Sequence, residues 1–243
     1  MLQNLCLLPN RHLLIEGGLL DQVVEVYEMQ SDAGIVSEPI HVIETGARGL
    51  SAIDFSNERI YMGFQGASDD VRSVIQVYDT EYNLLTKIFV GEESYSFSDM
   101  TLCRENNFLV TNIISGESQN FITVVNIEEE SVEMIEPPFG QVECVWAIEK
   151  FETYAEGEPQ TIFLPTTGGL FICVLHDTGD FAYCMESYYD GINVTNAVVI
   201  NEDELLISTL NEGQNKLVIL NLETKEERIV IAPEAAVQVL DIT

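Results

Sequence analysis

The chain has 243 residues, 46% of them hydrophobic, which is enough to bury a substantial core in a single domain. It carries 41 acidic but only 10 basic side chains, a formal charge of −31 at pH 7. This charge opposes binding to nucleic acid or to an anionic membrane surface, so we predict neither. A protein partner with a basic surface suits the acidic side chains better.

The amino-terminal segment does not predict export. Residues 1–8 are apolar, but Pro9-Asn10-Arg11-His12 follows at once, without a basic leader or a small-residue cleavage site. No run approaches the roughly 18 to 20 apolar residues that span a membrane. We therefore expect a cytoplasmic or nuclear protein.

The five cysteines lie in predicted strands without the close spacing of a zinc site, so we expect reduced thiols. One disulfide is the alternative. If the hairpin around Asp177–Asp180 turns on Thr178-Gly179, Cys173 lies directly opposite Cys184, close enough for a cross-strand bond.

Short apolar runs separated by turn-rich segments divide the chain into units, and the second unit shows the pattern most clearly. Its runs are Ala52–Phe55, Ile60–Phe64, Val74–Tyr78 and Leu84–Val90. Between them lie Ser-Asn-Glu-Arg, Gly-Ala-Ser-Asp-Asp and Asp-Thr-Glu-Tyr-Asn. This pattern predicts four antiparallel strands joined by hairpin loops.

The third strand of this unit recurs along the chain as VVEVYEMQ, VIQVYDTE, ITVVNIEE, FICVLHDT and LVILNLET. The spacings between the central residues of these strands are 51, 48, 49 and 46 residues, a near-constant period that indicates a repeat array. Fourth strands such as Ser131–Glu136 alternate apolar with charged residues, as outer strands do. The central residues are Val26, Val77, Val125, Val174 and Leu220.

We therefore predict an all-β fold, a β-propeller of four-stranded antiparallel blades forming one domain over residues 1–243. A β-sandwich is the alternative, but it does not require a four-strand unit of constant length. The blades are predicted at 2–46, 50–90, 97–139, 142–189 and 193–233.

Residues 237–242 then look like the first strand of a sixth blade. Either five blades close with this strand as a clasp, or another segment or chain completes the ring. The largest departure from the repeat is the loop Glu149–Gln160, which is either a contact loop or a plain surface insertion.

A polar residue recurs near the start of each first strand, where propellers line their central channel. Asn, Asp and Glu oxygens gathered there could hold a hard cation such as Ca²⁺ or orient a small polar ligand. The alternative is that wet strand ends simply carry polar residues. The six candidates are Asn4, Ser51, Asp99, Glu143, Asn196 and Gln238.

Three segments resemble the strand-turn-strand segments of gluconolactonase-like six-bladed propellers: Leu2–Gly18, Phe97–Asn112 and Asn193–Leu210. That resemblance implies a divalent metal and the opening of lactones or related esters. Its metal ligands would be Asn4, Asp99, Glu143 and Asn196. The chain departs from the family at Asn196-Ala197, where the family commonly has Asn-Gly.

The third-strand ends Val26-Tyr27-Glu28 and Val77-Tyr78-Asp79 resemble those of WD-repeat and YVTN-type propellers. The Trp-Asp pair and the Gly-His dipeptide are absent, and the single tryptophan, Trp146, lies in a first strand. The resemblance therefore implies a divergent propeller.

Two functions follow as hypotheses. The first is a binding or scaffold propeller that contacts a basic protein through its acidic rim. The alternative is a metal-dependent lactonase-like hydrolase at the central channel. His12, His41 and His176 fall at unrelated places in their units and give no spacing for a catalytic triad.

Overall fold

The computed structural model describes residues 5–8, 10–16, 22–30, 34–35, 38–56, 58–67, 72–115, 119–137, 145–211 and 214–231. Within these ranges the regular elements are β-strands, and they form five sheets. The described residues include no helix long and apolar enough to cross a membrane. The all-β prediction is confirmed.

The first two sheets lie in the amino-terminal part of the chain, and in each one the strands follow sequence order. The first sheet has an additional strand, because β5 pairs with β3 beside β4. Its strands are β1 (Leu5–Leu7), β2 (His12–Glu16), β3 (Val23–Gln30), β4 (Gly34–Ile35) and β5 (His41–Glu44). The second sheet has β6 (Ala47–Phe55), β7 (Arg59–Ala67), β8 (Ser73–Asp79) and β9 (Leu84–Val90).

The other three sheets are four-stranded and also follow sequence order. The third contains β10 (Tyr95–Cys103), β11 (Phe108–Ser115), β12 (Asn120–Asn126) and β13 (Ser131–Ile135). The fourth contains β14 (Glu149–Lys150), β15 (Gln160–Thr166), β16 (Gly169–Leu175) and β17 (Phe181–Tyr188). The fifth contains β18 (Asn193–Asn201), β19 (Glu204–Asn211), β20 (Gln214–Asn221) and β21 (Glu227–Ile231).

Burial separates inner from outer strands as the sequence pattern predicts. In β8 every residue from Ser73 to Tyr78 is buried, as expected for a strand covered on both faces. In the neighbouring outer strand β9, Leu84 and Leu85 are about half exposed while Ile88 and Val90 are buried. The repeat therefore places continuous apolar strands inside each sheet and alternating strands at its outer edge.

Two compact units can be distinguished, Met1–Leu102 with Ile113–Glu117, and Cys103–Asn112 with Ser118–Thr243. In the first unit, one apolar cluster joins residues of the first sheet, such as Leu14, to residues of the second, such as Met62. In the second unit, one cluster joins the third and fourth sheets and another joins the fourth and fifth. Within each unit, neighbouring sheets thus bury apolar residues against each other, as propeller blades do. The single domain over residues 1–243 stays a prediction.

The first strand of the fourth blade is much shorter than the sequence indicates. Only Glu149 and Lys150 form β14, and upstream of them Val145 makes an isolated bridge with Thr166. Residues 237–242, which the sequence predicts as an extra strand, lie outside the described residues. Ring closure is therefore still a prediction.

The hairpin between β16 and β17 differs from its predicted register. Cys173 lies opposite Tyr183 and not Cys184, because His176 and Asp180 pair across a three-residue loop. Gly179, at φ 90°, permits this turn. Cys173, Cys6 and Cys103 are thiols and not half-cystines.

Candidate binding site

Three of the six polar residues predicted to line a channel are described. Ser51 Oγ accepts a hydrogen bond from Phe97 N at 3.2 Å, and Asp99 Oδ1 accepts one from Met100 N at 2.9 Å. Asn196 lies on β18 opposite Ser208. Ser51 and Asp99 belong to the first unit and Asn196 to the second. The remaining candidates, Asn4, Glu143 and Gln238, lie outside the described residues.

Among the described residues there is no group of three or more His, Cys, Asp or Glu side chains placed to hold a metal ion. The ring of polar residues and its Ca²⁺ therefore stay predictions. The structural role of Ser51 is clear, because its hydrogen bond joins the first strand of the second blade to that of the third.

Two first-strand carboxylates make the same kind of connection between neighbouring blades. Asp54 Oδ2 accepts a hydrogen bond from Leu102 N at 2.6 Å, within the first unit. Glu149 Oε1 accepts one from Val199 N at 3.1 Å, within the second unit. Hydrogen bonds to charged acceptors are the stronger kind, worth about 1.5–3 kcal/mol each. These acids tie blades together.

The insertion between β14 and β15, residues 151–159, is anchored at its base by Gln160. This side chain is 1% exposed, and its Nε2 donates to Phe151 O at 2.7 Å. Its Oε1 accepts from Arg104 N, also at 2.7 Å. The Phe151 ring packs edge-on against Phe163, with the ring centroids 5.2 Å apart. One buried amide thus joins the insertion to the turn that precedes β11.

Arg104, in that turn, is a buried cation. It is 7% exposed, its Nη1 donates to Glu158 O at 2.7 Å, and its Cζ lies 4.4 Å from the centroid of the Tyr154 ring. Within the described ranges no carboxylate forms an ion pair with it. Buried charges are ordinarily paired, because removing an ion from water is costly.

The backbone of this turn is unusual as well. Arg104, Glu105 and Asn106 all have positive φ, at 52°, 55° and 69°. Such conformations of non-glycine residues are uncommon, and they cluster at ligand-binding and active sites. Asn107 N donates to Arg104 O at 3.1 Å and closes the turn.

A cleft of about 440 Å³ opens between this turn and the insertion; we call it the arginine cleft. Sites for small molecules typically measure about 300–1,000 Å³. One cation, three exposed carboxylates and two aromatic rings contribute to its lining. The lining residues are Arg104, Glu105, Asn107, Phe108, Tyr154, Glu156, Gly157 and Asp177.

A second cleft of about 360 Å³ also borders the insertion. It is lined by Phe151, Thr153, Tyr154, Ala155 and Glu202. Tyr154 borders both clefts, so the insertion divides them. The two clefts connect turns of the third, fourth and fifth blades along one surface.

The turns at this end of the three sheets carry exposed carboxylates. We call them the acidic turn surface: Glu105, Glu128, Glu129, Glu130, Glu152, Glu156, Glu158, Asp177, Asp180, Glu202, Asp203, Glu223 and Glu226. Two basic side chains nearby have partners. Lys150 pairs with Glu152 at 3.2 Å, and Lys225 lies over the Tyr188 ring and hydrogen-bonds its hydroxyl. The surface therefore has a strongly negative potential.

One thiol and two phenol groups have pKa values raised above their usual ranges. Burial, with a smaller contribution from Asp54, raises the pKa of Cys6 to about 11. Burial also raises the pKa values of Tyr183 and Tyr189, the latter with help from Glu227. These groups therefore stay protonated near pH 7.

Sequence reasoning singled out the insertion but missed Arg104. A signal was present: Arg104-Glu105-Asn106-Asn107 places one of only ten basic residues in a tight turn of a strongly acidic chain. Its burial depends on contacts with Tyr154 and Glu158, about fifty residues later in the chain. A local pattern does not reveal such contacts.

No protein-family model matches the chain, and the comparison with curated proteins finds no similar sequence. Solved structures do match. A hypothetical selenium-binding protein from Sulfolobus tokodaii aligns with a TM-score of 0.65 and 13% identity, covering 94% of this chain and 61% of that one. Sqt1 from Saccharomyces cerevisiae aligns at 0.63 and 15%, covering 97% and 62%. The chain thus spans about three fifths of the length of these two proteins.

A third match is a protein from Bacteroides uniformis described as a 6-phosphogluconolactonase. Its TM-score is 0.59 at 14% identity, covering 93% of this chain and 68% of that one. Sqt1 and this protein are propeller-like. At these identities the likeness establishes the fold alone, and the chain is a divergent β-propeller.

Proposed function

We propose that this propeller is a binding or scaffold module that recognises a protein with a basic surface through the acidic turn surface. The proposal rests on one observation: many exposed carboxylates lie beside two clefts that border an anchored insertion. Carboxylates alone would serve solubility. Clefts with aromatic walls add the pockets in which protein interfaces concentrate their binding energy.

The electrostatics favour a basic partner in two ways. A field of one sign steers an oppositely charged protein toward the surface and raises the association rate. Exposed carboxylates also discriminate against acidic partners, because like charges brought together are repelled. Tyr154, between the two clefts, offers its ring to the aliphatic part of a lysine or arginine side chain.

The proposal is tested with a fluorescent lysine–glycine peptide and a glutamate–glycine peptide of equal length. We expect the basic peptide to bind, with an affinity that falls as salt rises, and the acidic peptide not to bind. No binding of the basic peptide at low salt would refute the proposal.

A matched pair of triple variants locates the surface. Glu128→Gln, Glu202→Gln and Glu223→Gln remove three carboxylates of the acidic turn surface outside the arginine cleft. At about 0.2–1 kcal/mol per exposed charge, they should weaken binding together by about 3- to 150-fold. The control, Glu44→Gln, Glu58→Gln and Glu81→Gln, changes the net charge equally in the first unit. Equal losses in both variants would show that only net charge matters.

A second candidate, metal-dependent lactone hydrolysis, takes its support from the likeness to the Bacteroides uniformis protein. Its site would be Asn4, Asp99, Glu143 and Asn196. If Ca²⁺ binds there, it raises the melting temperature, and Asp99→Asn reduces the increase. A melting temperature that does not change with Ca²⁺ or other divalent ions would count against this candidate.

A further inference from the structure

The buried guanidinium of Arg104 lacks a charged partner within the described residues. One of its five N–H donors is used by Glu158 O, and one face lies on the Tyr154 ring. Neither partner carries a full negative charge. A carboxylate is the group whose shape matches the remaining donors, because it accepts two parallel hydrogen bonds from arginine.

The exposed part of the lining of the arginine cleft has the opposite charge. Glu105, Glu156 and Asp177 line it and are exposed to solvent. These three carboxylates repel a free anion that approaches Arg104. A ligand that carries a cation beside its anion is attracted by both sets of charges, because Arg104 attracts the anion and the three carboxylates attract the cation.

We propose that the arginine cleft binds the carboxyl-terminal residue of a basic partner, a terminal lysine or arginine. Its α-carboxylate binds the Arg104 guanidinium, and its side-chain cation lies among Glu105, Glu156 and Asp177. The inference rests on the proposed function, because it names which part of a basic partner enters the cleft.

The remaining lining fits this ligand. Phe108 and Tyr154 supply apolar walls for the methylene groups of a lysine or arginine side chain. The exposed side-chain amide of Asn107 is a further donor for the terminal carboxylate. A volume of about 440 Å³ accommodates one terminal residue and little more of the peptide.

Four peptides of one sequence test the inference on the wild-type chain. They end in arginine or in alanine, each as a free carboxylate or as an amide, with a fluorophore at the amino terminus. We expect the arginine carboxylate to bind at least about tenfold more tightly than its amide, a difference of about 1.4 kcal/mol. We expect a similar loss when alanine replaces arginine.

Variants test which residues bind the terminal carboxylate and which bind the side-chain cation. Arg104→Lys keeps the charge but removes the paired donors, and should reduce the preference for carboxylate over amide to about twofold. Glu156→Gln with Asp177→Asn should reduce the preference for arginine over alanine and leave the carboxylate preference unchanged. Glu128→Gln with Glu223→Gln, outside the cleft, should weaken all four peptides by the same factor. Melting temperatures verify that each variant is folded.

The outcomes separate the inference from the function on which it rests. If the amides bind as well as the carboxylates, or alanine ends as well as arginine ends, the inference is wrong while basic-partner binding stands. If no peptide binds and internal basic peptides also fail, the proposed function is wrong. If Arg104→Lys does not fold, the four peptides on the wild-type chain still decide.

Discussion

Replacing Gln160 tests whether one buried amide holds the insertion in place. Gln160→Ala removes the acceptor of Arg104 N and the donor to Phe151 O, both bonds of 2.7 Å. Leaving a main-chain group without its partner costs about 1–3 kcal/mol, so the loss of both partners should cost about 2–6 kcal/mol of unfolding free energy. In a chain of this length the melting temperature should fall by about 4–24 °C.

Gln160→Met separates the hydrogen bonds from the packing. Methionine fills most of the volume, so its loss should come from the unpaired main-chain groups alone and be smaller than that of alanine. Gln65→Ala is the control, because Gln65 bonds Ser96 at the exposed surface, and we expect a change within about 0.5 kcal/mol.

Urea unfolding followed by tryptophan fluorescence measures the effect. The single tryptophan, Trp146, lies in the same unit as Gln160 and reports on that unit. We expect a lower midpoint at an unchanged slope. If Gln160→Ala and Gln160→Met both stay within about 0.5 kcal/mol of the wild type, the amide does not anchor the insertion.

Three more predictions follow from the geometry. Asp54→Ala removes the acceptor of Leu102 N and should lower the unfolding free energy, measured by urea unfolding, by about 2–3 kcal/mol. Asp54→Asn keeps an acceptor without the charge and should cost about half as much. Equal losses for the two variants would contradict a role for the charge. Gly179→Ala should cost about 2–3 kcal/mol, because φ is 90° and the new Cβ would lie 2.8 Å from Phe108 Cε1; a neutral melting curve would refute this. The pKa of Cys6 is raised from 9.0 to about 11, so this thiol should react with iodoacetamide at pH 8 about 100-fold more slowly than a free thiol. The Cys6→Ser variant identifies the signal of Cys6. Rapid labelling of Cys6 would contradict the raised pKa.

Local features of the sequence were sufficient to predict the blades. Val77 and Leu220 each lie opposite the second strand of their own sheet, as the repeat predicts. Strand position follows from apolar runs and turn residues, which are properties of neighbouring residues. Because these signals are local, they do not determine where a strand begins. The second sheet begins at Ala47, earlier than the predicted residue 50.

The wrong register at Cys173 had a conformational cause. A two-residue and a three-residue loop differ by one residue in pairing, and the choice depends on the backbone at Gly179. The arginine cleft was beyond sequence reasoning for another reason. Its key contact joins Arg104 to Gln160, 56 residues apart, through an insertion that the repeat pattern does not describe.

The hydrogen bonds that Asp54 and Glu149 accept have the same order along the chain. In each, the carboxylate belongs to the earlier blade and the backbone N–H to the later one, 48 and 50 residues downstream. During synthesis the acceptor therefore leaves the ribosome before its donor, and a finished blade already presents the group that the next blade binds.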